Sequence, residues 1–342
     1  MMPLRLLSIA AYCTSTVWFA AAAIAAQDVG APVLLKLYSD GGVTSPYGAG
    51  ANAFAEELTQ RTDGRYRIEP VLGVAAAGQA LGSDRAQGRG MVDAVRSGDA
   101  DLVIVSSSSV GDYAPETRIL DLPFLFRDSA HARAVLDGPF GQRLLDTLQS
   151  RGFVGLAWGE NGFRHLTNNK RAIRTPEHLQ GLSIRVQENE IHRQALAALG
   201  ARPVSMPVLR EVMEALRQGT LDGQENAIWV MASLKIAEVQ KHLSLTGHFY
   251  QPVLFLMSLA VYDRLTSADR AAFVEAARHG AAANRRKVEE MDAAGMTALR
   301  AAGIEIVEDI DRATFEAVLA PAYAEWGNRF GVAEITRIHD QR

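Results

Sequence analysis

Two arginines, each in the middle of an alternating apolar–polar segment, limit what this chain can fold into. The segments read Gly162-Phe163-Arg164-His165-Leu166-Thr167-Asn168 and Gly181-Leu182-Ser183-Ile184-Arg185-Val186-Gln187. Alternation of this kind is the period of a strand. Between them, Thr175-Pro176-Glu177 reads as a helix start: a capping hydroxyl, proline at the first helical position, then an acid near the positive helix end. Gly181 stops that helix. Strand, short helix and strand make a βαβ unit, whose two strands are most simply parallel neighbours. A guanidinium keeps its charge and is costly to bury without an anion. Each arginine is therefore either in a structural salt bridge with a nearby acid, or both converge on a ligand carboxylate that a guanidinium fork can grip with two bonds.

The chain around this stretch has 342 residues, 48% hydrophobic and 22% charged, enough to bury a core and build two lobes. A formal net charge of −4 gives no basic footprint, which argues against nucleic acid as a partner. Residues 1–26 stand apart. Arg5 is the only charge before Asp28, and Leu6 to Ala26 is apolar or small. The run is just long enough to be a transmembrane anchor. Its alanine-rich end, Ala23-Ile24-Ala25, instead suits a signal peptidase, with a cut expected after Ala25 or Ala26. Cys13, the only cysteine, lies inside this segment, and Tyr12 before it does not suit a lipoprotein site. The mature chain is thus expected to have no disulfide or thiol chemistry and to reside in a bacterial periplasm.

Along the chain, Val33–Tyr38 reads as a strand, about Tyr47–Arg61 as a helix and Arg65–Pro70 as a second strand. Val71 to Gly90 is loop-like, Met91–Arg96 helical with a stop at Gly98, and Leu102-Val103-Ile104-Val105 a buried parallel strand running into Ser106–Ser109. Alternating strands and helices predict an α/β sheet. Ala94-Val95-Arg96-Ser97-Gly98-Asp99-Ala100-Asp101 recurs as Ala215-Leu216-Arg217-Gln218-Gly219-Thr220-Leu221-Asp222. Both are helix ends with a glycine stop and an aspartate leading into a strand. The echo predicts two lobes built alike, one strand ending at Ser106–Ser109 and the other at Gln224-Glu225-Asn226. Ligands of open α/β sheets sit outside such strand ends, and two facing ends make a cleft. Further on, Ser205 is expected to cap a helix over Pro207–Gln218. Leu234–His242 reads as another helix and Gln251–Val261 as a strand returning to the first lobe. Thr266 or Ser267 starts a helical pattern to about Gly303, on the order of 50 Å long. It is either one spine crossing both lobes or two helices broken at Gly280, with Gly280 and Gly295 as bends. Tyr323 and Trp326 fall at helical spacing as core.

No Gly-x-Ser-x-Gly elbow, phosphate loop or His-Glu-x-x-His motif occurs, and the histidines lack metal-ligand spacing. No catalytic residue, metal or cofactor is expected. One rival is an exported NAD(P)-dependent oxidoreductase using Gly48-Ala49-Gly50, with Glu69 about 20 residues on. Against it, nine residues separate Tyr38 from Gly48, where that fingerprint needs a tight turn.

With Leu199-Gly200-Ala201, Pro203, Asp222-Gly223-Gln224-Glu225-Asn226, Glu238-Val239-Gln240-Lys241, Leu245-Thr246-Gly247-His248, Leu122-Pro123-Phe124 and Leu81-Gly82, the two arginine segments resemble the DctP-type solute-binding proteins of tripartite ATP-independent periplasmic (TRAP) transporters. The resemblance covers nearly the whole mature chain. It implies a two-lobed periplasmic binding protein (type II-like) with crossing strands and a long helix spanning both lobes. Residues 1–26 would be the signal peptide, 27–161 with 250–290 the first lobe, and 162–249 with 291–342 the second. It implies that Arg185 is the main carboxylate clamp, that Arg164 assists, and that Asn226, beside Glu225, adds hydrogen bonds. Asp40, Asp84 and Ser106 match ligand-side positions of the first lobe. The chain departs from its relatives at Val208, at Ala227, at Trp229 and in the glycine-rich stretch after Ser83-Asp84-Arg85. Trp229 is either a stacking wall for a ring or core. The implied partners are a small organic acid (dicarboxylate, keto or hydroxy acid, or sugar acid) and the transporter's membrane subunits, for a monomer that makes and breaks no bond.

Overall fold

The computed structural model describes residues 31–341, so the signal-peptide reading of 1–26 and Cys13 lie outside the described residues. The strands are β1 (Val33–Ser39), β2 (Tyr66–Leu72), β3 (Leu102–Ser106), β4 (Phe153–Asn168), β5 (Ser183–Val186), β6 (Arg202–Ser205), β7 (Gly223–Ala227), β8 (His242–Ser258) and β9 (Glu305–Val307). They form one mixed sheet in the order β2-β1-β3-β8-β4-β7-β5-β6, with β9 on β8. Each half holds three parallel strands, β2-β1-β3 and β7-β5-β6, flanking the long antiparallel pair β4 and β8 that runs through the middle.

The sequence echo is a structural repeat. Gly98 and Gly219 both end their helices in the left-handed conformation, at φ 84° and 72°. The aspartate that follows does the same work twice. Asp101 accepts from Lys36 N–H of β1 at 2.8 Å, and Asp222 from Ser183 N–H of β5 at 2.8 Å. Their carbonyls accept from the chain flanking the crossing strands, Ser258 N–H at 2.8 Å and Asn169 N–H at 3.0 Å. Each aspartate thus pins a parallel strand and a crossing strand to one corner.

Several expectations are corrected. β4 and β5 are not parallel neighbours, because β7 lies between them. β7 is antiparallel to β4 and parallel to β5, so β4 and β5 run in opposite directions. The stretch after Val71 is largely helical (Val74–Leu81, then Gly88–Ser97), since its alanines favour helix once Gly73 and Gly82, at φ 93° and 97°, make the turns at either end. Ser205 is no cap: it ends β6, paired with Val186, and the helix starts at Leu209. Leu234–His242 is only a turn through Ile236–Glu238, entered at Lys235 with φ 52°, and β8 already begins at His242.

The helix Ser267–Ala301 is continuous over 35 residues and is capped by Thr266, whose hydroxyl accepts from Asp269 N–H at 3.1 Å. Two of its glycines make close contacts. A Cβ on Gly280 would lie 2.7 Å from the Gly50 carbonyl and 2.9 Å from the Phe54 Cβ, and one on Gly295 3.1 Å from the Ala232 Cβ. Gly280 thus lets the helix Pro46–Arg61 press against the long helix, sealing a core in which Phe54, Phe255 and Phe273 meet edge to face. The opposite face of the sheet packs a second core that runs through both halves, from Val103 and Val105 to Ile184 and Leu196. Tyr323 and Trp326 pack edge to face within the helix Arg312–Phe330, with Trp326 buried. Among the described residues no helix is long and apolar enough to cross a membrane.

Candidate functional site

The insertion of β7 decides the fate of the two arginines. Leu166 of β4 stands opposite Glu225, and Arg185 of β5 opposite Gln224, so Glu225 lies on the strand that separates the two arginine-bearing strands. Arg164 is fully buried, and Glu225 takes it in a fork. Nε donates to Oε2, Nη2 to Oε1 at 2.9 Å and to the Glu225 carbonyl at 2.8 Å, while Nη1 donates to Gln251 Oε1 at 2.7 Å. This is the structural salt bridge. Glu225 is itself fully buried, its carboxylate spent on Arg164.

Arg185 is different. At 2% exposure it donates through Nε, to the Met206 carbonyl at 2.7 Å, and its buried Nη1 has no partner among the described residues. Burial pushes its pKa down to about 10; the Glu225 charge opposes that shift and the Arg164 charge adds to it. A buried guanidinium with a bare nitrogen is a site waiting for an acceptor. Asn226 stands opposite His165 on the same strand as Glu225. Its Oδ1 accepts from Ala227 N–H at 3.0 Å, and its Nδ2 donates to nothing among the described residues.

From the other half, Ser106 at the end of β3 accepts from Gln251 Nε2 at 2.7 Å, which joins it to the arginine cluster through one side chain. Asp40, just past β1, has its pKa raised to about 6 by burial, against the N–H groups of Gly88, Gly41 and its own residue. Tyr47 lies within reach of the charges of both Asp40 and Arg164, and burial raises its hydroxyl pKa well above the ordinary value. Its ring centroid is 6.4 Å from that of Trp229. The Trp229 Nε1 donates to the Asn161 carbonyl at 3.0 Å and its backbone N–H to Asp292 at 2.9 Å, so this residue is anchored on its polar sides and turns its ring to Tyr47. Asp84 is not brought to this cluster. It is exposed on the turn Ser83–Arg85 and lines a surface groove with Arg85, Gly90, Asp93 and Arg96.

Sequence reasoning missed Tyr47 and Gln251. Tyr47 had a signal, an aromatic in the first helical turn after β1. Gln251 had none, because its partners lie 64 to 145 residues away. The glycines of the dinucleotide-like turn are taken by packing. A Cβ on Gly48 would meet the Val43 carbonyl at 2.4 Å, and one on Gly50 the Phe255 ring at 3.0 Å. His165 accepts from Gly247 N–H at 3.0 Å, with burial and Arg164 holding its pKa down to about 4, so it is a neutral strand residue.

The family model of the bacterial extracellular solute-binding proteins, family 7 (DctP), matches residues 40–329. The chain belongs to this family. Among its relatives is a solute-binding protein of Verminephrobacter eiseniae, 47% identical over 294 residues, covering 86% of this chain and 85% of that one. A TRAP periplasmic solute-binding protein from a Polaromonas species, bound to D-erythronate, is 42% identical with a TM-score of 0.83, covering 91% of this chain and 99% of that one. One from Bordetella, with density assigned to pantoate, is 42% identical with a TM-score of 0.82 and the same coverage. The two-lobed fold of this family-7 protein is that of TRAP solute receptors, and the family consists of binding proteins rather than enzymes.

Proposed function

We propose that this family-7 protein is a periplasmic receptor for a small hydroxy acid, held by its carboxylate between the lobes and passed unaltered to the membrane subunits of a TRAP transporter. The supporting observation is Arg185: buried, cationic, and bonded through Nε alone among the described residues. Arg164 and Glu225 cancel each other's charge, so the trio carries one uncompensated positive charge, which suits one carboxylate. Arg185 would grip it, Asn226 Nδ2 would donate to it, and Arg164 would act mainly through its field. Asp40, Ser106 and Tyr47 of the other lobe would meet the hydroxyl groups, with the Trp229 ring as wall. Asp84 would reach the solute only by a movement of its turn. D-Erythronate and pantoate, the solutes of the two 42% identical structures, share a carboxylate with a hydroxyl on the adjacent carbon. Residues 1–26 would be the export signal.

The experiment is a thermal-shift screen of the purified mature protein against D-erythronate, pantoate, galactonate, succinate and a neutral sugar, because bound solute stabilises the fold by mass action. A monocarboxylate with an adjacent hydroxyl should raise Tm, and the neutral sugar should not. Arg185→Ala should abolish the shift, since truncating one side of a desolvated charge pair costs about 2–5 kcal/mol. An Arg185→Ala protein that binds as tightly as the original would end the carboxylate reading.

A further inference from the structure

Gln251 ties the two halves of the molecule together through one amide. It is 1% exposed, in the middle of β8 opposite Gly162. Its Oε1 accepts from Arg164 Nη1 at 2.7 Å and from Asn161 Nδ2 at 2.9 Å. Its Nε2 donates to Ser106 Oγ at 2.7 Å and to Gln187 Oε1 at 2.6 Å. Arg164 and Gln187 belong to the half built on β7-β5-β6, whereas Ser106 ends β3 in the other. A carboxamide carries an acceptor and a two-hydrogen donor on one plane. It can therefore take a guanidinium bond at one end and hold a hydroxyl at the other, which neither a carboxylate nor an ammonium can do.

A second tie runs beside the first. Asn189 Nδ2 donates to Ser108 Oγ at 3.0 Å, and Ser108 in turn donates to Asp121 at 3.2 Å. Asn189 Oδ1 also caps the helix Glu190–Ala198 by accepting from His192 N–H at 3.2 Å, so this tie ends on a rigid element. Both ties join serines at or just after the end of β3 to residues just after β5. All of these bonds are made between protein groups and need no solute.

We propose that Gln251 is a positioning residue, the latch that holds the lobes in their closed register by bonding Arg164 and Gln187 on one side and Ser106 on the other. Solute then binds a cleft whose closed form is already populated. Apparent affinity scales with the fraction of molecules in the competent form, so the latch raises affinity through groups on both lobes. It acts mainly on dissociation, because a closed cleft must unlatch before the solute leaves. The affinity part of this inference rests on the receptor reading; the solute-free part does not.

The test compares wild type, Gln251→Met, Ser106→Ala and the double variant. Methionine keeps the length of the side chain and loses both ends of the amide; Ser106→Ala removes one arm and leaves the Arg164 bond. Small-angle scattering of the solute-free proteins should give a larger radius of gyration for Gln251→Met and Ser106→Ala than for wild type. A merely structural role would lower Tm and leave that radius unchanged. With D-erythronate as probe, Ser106→Ala should raise Kd roughly two- to tenfold, the range of one net hydrogen bond. Gln251→Met should raise it more, mostly by faster dissociation. The double variant should be no weaker than Gln251→Met within about twofold, because both changes cut one chain of bonds. A radius of gyration unchanged from wild type in every variant that folds, or fully additive losses, overturns the latch, whatever Ser106→Ala does to Kd. If wild type does not bind D-erythronate, the scattering comparison decides the latch by itself. If Gln251→Met does not fold, Ser106→Ala decides it.

Discussion

Neutralising Glu225 probes the charge arrangement most directly. Glu225→Gln keeps the shape of the side chain that forks Arg164 but removes a carboxylate whose charge also reaches Arg185. Arg164 would keep its bonds to the residue 225 carbonyl and to Gln251, at 2.8 and 2.7 Å, and lose the charged fork. Two buried guanidiniums would then be left without that carboxylate's charge. Breaking a buried pair by removing one partner typically costs about 3–5 kcal/mol. The roughly 310 described residues have an unfolding entropy of roughly 0.65 kcal/mol/K, so the expected fall in Tm is about 5–8 °C. Arg185→Ala is the opposite case. It removes the uncompensated charge, so the solute-free protein should keep or gain stability while losing its solute. Differential scanning calorimetry in low-salt buffer, repeated with added sulfate, reads both effects. Added anion should restore part of the Glu225→Gln loss and do nothing for Arg185→Ala. A Glu225→Gln protein that melts within a degree of wild type and ignores sulfate would refute the idea that Glu225 compensates the buried Arg164 cation.

Gly280→Ala should destabilise the protein by about 1–3 kcal/mol, the usual range for overpacking. Its new methyl would press on the Gly50 carbonyl, 2.7 Å from an ideal Cβ, which urea denaturation can measure. The Asp292 carboxyl is held up at about 7, from an ordinary 3.8, first by burial and also by Glu160, against the N–H of Trp229. Its fold-favoured protonated form contributes stability at low pH that is lost as pH rises from about 4 to 7. In Asp292→Asn the side chain would not titrate, and its amide oxygen could still accept from Trp229 N–H. The stability of Asp292→Asn relative to wild type should therefore improve across that window, by at most about 1.4 kcal/mol per pH unit. A flat difference between pH 4 and 7 would mean that the carboxyl is not perturbed.

Much of the architecture was legible in the chain itself, wherever a local pattern and a tertiary role coincide. The repeated helix end at Gly98 and Gly219 requires a left-handed residue followed by an aspartate, and both aspartates cap a parallel strand of their own half. The long helix was readable from its period and its Thr266 cap, and the family from motifs spread over both lobes. The sequence also posed the right question about the arginines, because a buried guanidinium needs an anion whatever the fold. Its answer was not local. Arg164 and Glu225 are 61 residues apart, and they meet because β7 enters the sheet between β4 and β5, where adjacency in sequence suggested direct pairing. Strand order depends on crossover connections and on which faces can be buried together, not on any single segment. The role of Gly280 was hidden for the same reason: a glycine in a helix reads as a weak point until another helix is found against it. Gln251 is the extreme case, an ordinary polar residue in an apolar run, given its place only when Ser106, Gln187 and Arg164 converge on one amide.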